Sequence, residues 1–183
     1  MKHSKIYLHL PFYIFRLLKA ILFSFGKVKV RSPLQLIGKD CTLDVENGCI
    51  ILGSRCKLAD RVSLIACGKG CISLGSKTFI NENSRLVAMD KIDIGEDCLI
   101  ADSVSMYDHD HEYSDRTKPF WKQGYLTAPI TVGRNVWIGS HVVVCKGVTI
   151  GENSIIGAGS VVTKSIPDNV IAVGVPAKVI KSR

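Results

Sequence analysis

The sequence predicts an all-β fold, a parallel β-helix, and the main observation is a period of six residues. Six aliphatic residues recur at this spacing, and a glycine directly follows four of them: Val132, Ile138, Val144, Ile150, Ile156 and Val162. Neither an α-helix nor an ordinary strand requires a period of six, whereas a coil with three flat faces places one inward aliphatic residue on each face. The small residue that follows suits a corner at which a Cβ atom has little room.

A second pattern, an aliphatic–x–aliphatic–Gly tetrad, marks the start of each predicted coil. It occurs at residues 50–53, 72–75, 92–95, 130–133 and 148–151, at intervals of 22, 20, 38 and 18 residues. If 18 residues make one coil, the third interval contains an excursion that leaves the prism after about Met106 and returns by Ile130. Long insertions in repeat folds map to loops and are usually functional. We therefore predict one solenoid domain, residues 32–183, with a protruding loop at about 107–129.

Residues 1–31 form a basic leader, predicted as an amphipathic helix. Residues 1–39 contain eight basic residues and no acidic one, whereas the rest of the chain is balanced in charge. The solenoid is therefore predicted to be neutral, which disfavours nucleic-acid binding.

The leader also carries signals of a helix. Pro11 suits a first helical turn and Gly26 a helix end. Arg16 and Lys19 disfavour a transmembrane span, and the small-residue cleavage site of a signal peptide is missing. The helix either caps the first coil or lies in the interface of an anionic membrane.

The seven cysteines are odd in number, form no CxxC motif and mostly occupy repeat positions. This pattern predicts small buried thiols in a reducing compartment, rather than a disulfide framework or a zinc site.

The predicted loop contains the densest set of titratable and aromatic side chains in the chain. It begins Tyr107-Asp108-His109-Asp110-His111. A histidine can take a proton from a hydroxyl at neutral pH, and a flanking carboxylate, which is Asp108, Asp110 or Glu112, can fix its tautomer. Aromatic rings such as Tyr107 and Trp121 suit the apolar face of a sugar. General-base catalysis is thus favoured over a metal site and over a polar loop without chemistry. His141 is predicted to be an exposed strand residue.

Residues 132–141 (VGRNVWIGSH) and 150–164 (IGENSIIGAGSVVTK) resemble the hexapeptide-repeat acyltransferases. Within this family, the chain looks most like galactoside and maltose O-acetyltransferases and the O-acetyltransferases of surface-polysaccharide synthesis. The resemblance implies a left-handed helix, a homotrimer, and acetyl-CoA bound between neighbouring subunits without a metal ion. It also implies an O-acetyltransferase that acts on a sugar hydroxyl.

The resemblance further implies roles for individual residues. The family's catalytic base is a loop histidine, which Asp108-His109 matches best, with His111 as the alternative. Asn81 matches a family residue that contacts the acceptor. The positions that match coenzyme contacts are Trp137, Ser140, Ala158, Thr163, Lys164 and Lys178.

Other functions stay open at this level. A zinc hydratase of the γ-carbonic anhydrase type would require His109, His111 and His141 around one zinc ion, and a non-catalytic scaffold would require none of them. Within acyl transfer, an aminosugar N-acetyltransferase and a xenobiotic acetyltransferase would use the same loop chemistry. The basic leader favours a cytoplasmic protein with peripheral contact to the inner membrane face, where a lipid-linked glycan is the expected acceptor.

Overall fold

The computed structural model describes residues 4–24, 26–33 and 35–183, and residues 1–3 of the leader lie outside them. Three sheets form the faces of a left-handed β-helix of about six turns, as predicted, and their strands run parallel except at the C-terminal end, where the last strand pairs antiparallel with the one before it. We name these the first, second and third faces, in the order in which the chain passes through them, and we name each edge by the two faces that it joins.

The first face comprises β1 (Val28–Val30), β4 (Cys49–Leu52), β7 (Cys71–Leu74), β10 (Lys91–Ile94), β15 (Ile130–Val132) and β18 (Thr149–Ile150). The second face comprises β2 (Leu36–Ile37), β5 (Lys57–Leu58), β8 (Phe79–Ile80), β11 (Leu99–Ile100), β16 (Trp137–Ile138), β19 (Ile155–Ile156), β21 (Val170–Val173) and β22 (Lys178–Ser182). The third face comprises β3 (Thr42–Val45), β6 (Ser63–Ala66), β9 (Arg85–Ala88), β12 (Ser105–Tyr107), β17 (Val143–Val144) and β20 (Val161–Val162).

The core is a set of aliphatic stacks, one behind each face, because in-register parallel strands place equivalent residues above one another. On the third face, Leu64, Leu86, Met106, Val144 and Val162 follow one another in register, and all five are buried. The six residues of the predicted period are likewise buried, with exposed fractions of 2% or less. The hexad pattern therefore identified the inward positions correctly.

Non-glycine residues in the left-handed region form many of the corners. Asn135, His141 and Asn153 have φ values of 55°, 58° and 56°. Asparagine tolerates this conformation better than most residues, and the Asn135 amide also donates to Asn153 Oδ1 at 2.8 Å. His141 is exposed, as predicted, but it lies in a corner and not in a strand. The prediction was wrong because it extended the alternation of inward and outward residues along a strand past the corner at which the strand ends.

The prediction of buried thiols is wrong for five of the seven cysteines, since two form a disulfide and three are only partly buried. Cys49 and Cys71 occupy paired positions on β4 and β7, with Cα atoms 4.7 Å apart, and form a disulfide. Neighbouring in-register strands lie at a spacing that allows such a bond. Of the five free cysteines, only Cys56 and Cys98 are buried. The cysteine pattern therefore no longer supports a reducing compartment.

The leader contains one helix, α1 (Ser4–Phe23), which packs against β1 and β2 at the open end of the first coil. Leu17 is buried there, and the Arg16 guanidinium donates to the carbonyl of Ile37 at 3.3 Å. Pro11 lies inside the helix, not in its first turn, whereas Gly26, with a φ of 79°, follows the helix end. No helix in the described ranges is long and apolar enough to cross a membrane.

The predicted excursion is present and is partly ordered by its own strands. β13 (His109–His111) and β14 (Tyr125–Thr127) form an antiparallel ribbon, and a short 3₁₀ helix, Phe120–Lys122, lies between them. The ladder of the first face continues past the loop, since Ile92 pairs with Ile130 as it pairs with Ile72. The loop therefore projects from the third–first edge without interrupting the prism.

Candidate active site

Asp108 anchors the base of the loop to the preceding coil. Its side chain is fully buried, its Oδ2 atom accepts a hydrogen bond from the N–H of Asp90 at 2.8 Å, and its two oxygens share the N–H of Met89, at 2.9 Å for Oδ1 and 3.1 Å for Oδ2. Its carbonyl accepts a further bond from the N–H of Ala128, on the returning strand of the loop, at 2.8 Å. A buried carboxyl group that accepts several N–H bonds suits the ionised, acceptor-only form. Asp108 is therefore both a structural anchor and a fixed acceptor.

His109 uses that acceptor. Its Nδ1 atom lies 3.0 Å from Asp108 Oδ1, and its side chain is 14% exposed. Because the carboxylate can only accept, Nδ1 carries the proton, and Nε2 is left with a lone pair. This is the tautomer that a general base requires.

Aromatic rings surround this imidazole. The rings of Tyr107 and Tyr125 meet that of His109 edge to face, with centroids 6.0 Å and 5.6 Å away. His111 packs on Tyr125, with centroids 4.7 Å apart. His111 is exposed, and no ion pair joins it to a carboxylate in the described residues. The geometry thus favours His109 over His111 as the base.

The outer part of the loop is polar and exposed, with Trp121 at its tip. Trp121 is 73% exposed, and the Lys122 ammonium lies 5.0 Å from its ring centroid. Backbone N–H groups of Ser114 and Tyr113 bond the carboxylate of Glu112 and lower its pKa. These contacts hold the loop in shape but place no further titratable group beside His109.

A second group of predicted site residues lies along the second–third edge. Ser140 donates its hydroxyl to Asp102 Oδ1 at 2.6 Å, and this hydrogen bond is the main cause of the lowered pKa of Asp102. Within the ranges that the structure describes, the backbone N–H groups of Ser140 and Ala158 donate no hydrogen bond. A Cβ atom on Gly139 would lie 2.6 Å from the nitrogen of Ala158, so glycine keeps these two coils close here. The edge thus presents two aligned donors.

Sequence reasoning missed Asp102. A signal for it exists, because Ala101-Asp102-Ser103 occupies the same corner, one coil earlier, as Gly139-Ser140-His141. Comparing the corners of successive coils would have placed the carboxylate beside the serine.

The other predicted contacts are spread over the prism. Trp137 is on the outer side of the second face and is 52% exposed, and Asn81 follows β8 on the second–third edge. Thr163 and Lys164 are exposed residues that follow β20 on the third–first edge, whereas Lys178 is exposed at the start of β22.

One chain therefore brings Asp108, His109 and Tyr107 together but leaves Ser140 and Ala158 on a different edge. A face of about six residues separates the two edges, roughly 15–20 Å at the rise of a strand. The three histidines of the zinc alternative are divided in the same way, since His141 lies on the second–third edge. No three metal-ligating side chains cluster anywhere in residues 4–24, 26–33 and 35–183.

The fold and the loop define a class of protein, the left-handed β-helix transferases. Residues 129–164 match the family model described as bacterial transferase hexapeptide (six repeats). The structure of a hexapeptide-repeat-containing acetyltransferase of Vibrio cholerae has been solved with acetyl-CoA. It is 30% identical in sequence and superposes with a TM-score of 0.58, and the match covers 81% of this chain and 70% of the Vibrio cholerae chain. The chain belongs to the hexapeptide-repeat acyltransferase family.

Two further relatives differ in the group that they acylate. Galactoside O-acetyltransferase of Escherichia coli is 47% identical over 104 residues, which cover 56% of this chain and 50% of that protein. AntD of Bacillus cereus is an N-acyltransferase solved with dTDP and coenzyme A. It is 26% identical, with a TM-score of 0.72, and the match covers 85% of this chain and 84% of the AntD chain. The chain spans about half the length, or less, of the first curated relatives that it matches.

Proposed function

We propose that the protein is an acetyl-CoA-dependent O-acetyltransferase that acylates a sugar hydroxyl, with His109 as general base. One observation carries the proposal: the imidazole Nδ1 of His109 lies 3.0 Å from the buried Asp108 carboxylate, so that Nε2 is available to a substrate proton. The coenzyme-bound relatives and the galactoside O-acetyltransferase support the donor and the acceptor class.

The chemistry needs no covalent enzyme intermediate. Nε2 of His109 removes the proton of the acceptor hydroxyl as its oxygen attacks the thioester carbonyl, a contribution worth roughly 10²–10⁴-fold. The tetrahedral oxyanion would accept a hydrogen bond from the Ser140 N–H, and such a donor is worth about 3–4 kcal/mol. Collapse breaks the carbon–sulfur bond, and the imidazolium returns its proton to the departing coenzyme thiolate. The products are the acetyl ester and free coenzyme A.

The remaining predicted residues would bind the two substrates. Asn81, Tyr107 and Trp121 are assigned to the acceptor, since a ring beside His109 can stack on a sugar face. Trp137 and Ala158 are assigned to the coenzyme along the second–third edge. Thr163, Lys164 and Lys178 are assigned to it as well, the two lysines as point charges for its phosphates.

A homotrimer would place the third–first edge of one copy, which carries His109, next to the second–third edge of another copy, which carries Ser140. The site of one chain is incomplete, because His109 and the N–H of Ser140 are a face apart, and a neighbouring copy could bring its own second–third edge to the loop. The outer side of the second face supports this arrangement, since Phe79, Leu99 and Ile155 lie on it in one apolar row with Trp137. Leu99 and Trp137 are each 52% exposed, whereas Phe79 and Ile155 are half-buried, and apolar rows of this kind mark association surfaces.

Mixed assembly tests the shared site. His109→Ala removes the base, and Ala158→Trp would fill the coenzyme edge, so each variant alone should be inactive. If each site takes its base from one copy and its coenzyme edge from the next, co-expression at equal levels should restore about one quarter of the wild-type activity. Failure to restore any activity, with trimers confirmed by light scattering, would contradict a site built from two subunits.

The catalytic role is tested by steady-state transfer from labelled acetyl-CoA to a panel of free and lipid-linked glycans. His109→Ala should lower kcat by roughly 10²-fold or more, whereas His111→Ala, its neighbour on the same ribbon, should change it little. An unchanged rate in His109→Ala, or the larger loss in His111→Ala, would remove His109 from this role.

A second candidate is acylation of an aminosugar. The similarity to AntD, an N-acyltransferase solved with dTDP, favours it specifically. Adding aminosugars and drug-like acceptors to the glycan panel separates these alternatives. Transfer only to aminosugars would establish an amide-forming enzyme, and transfer to a drug-like acceptor alone would establish a xenobiotic acetyltransferase. We also propose a cytoplasmic location, where acetyl-CoA is available, with the leader at the inner face of the membrane.

A further inference from the structure

Helix α1 has one wide apolar surface, and only part of it packs on the solenoid; we call the exposed part the outer face. Leu17 is buried against the first coil, and Ile21 packs against the core. On an adjoining side, roughly 110° away on the helical wheel, Phe15, Leu18 and Leu22 have exposed fractions of 67%, 52% and 72%, and Phe15 also lies at the mouth of the groove between α1 and the first coil. Capping of the first coil explains the inner face and leaves the outer face without a function.

The exposed side chains form a continuous strip and are not scattered. At 100° per residue, Phe15, Leu18 and Leu22 fall within about 60° of one another on the helical wheel. Ile14, which is 44% exposed, extends the same side. Single exposed apolar residues are ordinary on a protein surface, but a contiguous strip on one helix marks an interaction surface.

The charge around this strip selects its partner. The exposed Lys19 lies on the helix at one border of the strip, and eight basic residues with no acidic one occupy residues 1–39. Asp40 and Asp44 line the groove between α1 and the first coil, together with Arg16 and Lys19, and Glu46 follows them. Because the eight basic residues outnumber these three carboxylates, this end of the molecule keeps a net positive charge.

We propose that the outer face of α1 docks the protein onto a membrane surface rich in anionic lipid. An apolar strip bordered by cations suits a helix that lies in the plane of the headgroups, where acyl chains cover the strip and lipid phosphates attract the lysines and arginines. A second copy of this chain would bring like charges together at the same surface, so self-association through α1 is disfavoured.

Docking through α1 also sets the distance between the membrane surface and the candidate active site. The helix covers the first coil, whereas Asp108 and His109 follow β12 on the fourth coil. Three coil spacings of about 4.8 Å place the imidazole roughly 15 Å further along the axis than the first coil. If the proposed glycan acetylation is correct, that distance suits a sugar one or two units beyond a lipid headgroup. Cyclic symmetry of a trimer would present three such helices at one level.

Vesicle co-sedimentation of the purified full chain tests the proposal. Wild-type protein should bind vesicles of phosphatidylcholine mixed with phosphatidylglycerol, bind pure phosphatidylcholine much less, and dissociate in about 0.5 M NaCl. The double variant Leu18→Ser, Leu22→Ser should weaken vesicle binding roughly tenfold or more. Ile180→Ser is the matched control, because it removes an apolar side chain that is 59% exposed at the other end of the chain. That control should bind vesicles as wild type does.

Other outcomes would overturn the proposal. Equal vesicle binding by the double variant and wild type, or equal binding to neutral and anionic vesicles, contradicts docking through this face. If the double variant instead changes the oligomeric state in light scattering, the strip is an interface between copies. Transfer to a soluble acceptor separates this result from the proposed function, because the double variant should keep that activity while losing vesicle binding.

Discussion

The substitution Asp108→Asn separates the anchoring role of this residue from its effect on His109. The N–H of Asp90 donates to Oδ2 of Asp108, whereas the N–H of Met89 is shared between Oδ1 at 2.9 Å and Oδ2 at 3.1 Å, and Oδ1 is also the atom beside His109 Nδ1. An asparagine with its oxygen in the Oδ2 position keeps the bond from Asp90 and the longer of the two bonds from Met89. Its NH₂ group then faces Nδ1 and can only donate. His109 must move its proton to Nε2, the nitrogen that has to accept one from the substrate.

The expected losses follow from these contacts. Turnover should fall roughly 10²–10⁴-fold, the range of general-base catalysis, because the wrong tautomer dominates. The free energy of unfolding should fall by about 1–3 kcal/mol, since charge-assisted bonds become neutral ones and the N–H of Met89 keeps only the farther of its two acceptors. The KM for acetyl-CoA should change little, because the coenzyme edge is untouched.

Asp110→Asn is the matched control. It removes the same charge two residues further on, where the Asp110 carboxylate is 60% exposed and lies 3.8 Å from the Lys146 ammonium. The assays are steady-state kinetics, urea unfolding, and long-range proton–nitrogen NMR of the imidazole, which reports the tautomer. If Asp108→Asn turns over as fast as Asp110→Asn, or if its Nδ1 stays protonated, the proposed tautomer control is wrong.

Three further predictions concern stability and are checked by urea unfolding. Leu86→Ala, in the middle of the third-face stack, should cost about 2–5 kcal/mol, and a cost typical of a surface site would argue against the stacked core. Gly75→Ala would place its Cβ atom 2.4 Å from the carbonyl carbon of Gly95 and should cost roughly 3 kcal/mol or more. The control Gly68→Ala, in open space at a φ of 53°, should cost about 1–2 kcal/mol. Burial raises the pKa of Cys56 from 9.0 to about 11. Between these two pH values the folded state keeps the thiol proton and the unfolded state releases it. The free energy of unfolding should therefore fall by roughly 2–3 kcal/mol as the pH rises from 9 to 11. Cys56→Ala should lose that part of the pH dependence.

The fold was predictable because each coil repeats the same physical requirement. An inward position must be aliphatic and a corner must be small, so Ile138 and Gly139 carry the period directly in the sequence. The loop was predictable for the converse reason, since Ile92 and Ile130 are separated by more than one coil although they pair in register.

The missed features depend on contacts between coils, which a one-dimensional period does not express. Cys49 and Cys71 were treated as separate repeat positions, although their spacing of 22 residues equals the interval between their tetrads. Asp108 was one of three carboxylates predicted as possible partners of the loop histidine, but its bonds to Met89 and Asp90 required the previous coil. The ring of Tyr125 came beside His109 only through the antiparallel ribbon.

The position of the loop explains why catalysis in this fold would depend on assembly. The excursion begins where β12 reaches the third–first edge, so the prism continues unbroken beneath it, and the Asp108–His109 pair forms within one chain. The N–H donors of Ser140 and Ala158 lie on another edge, because successive corners of a three-sided coil point in different directions. A monomeric variant should therefore keep the solenoid and the histidine tautomer and yet fail to transfer acetyl groups, since no copy would bring the second edge to the imidazole.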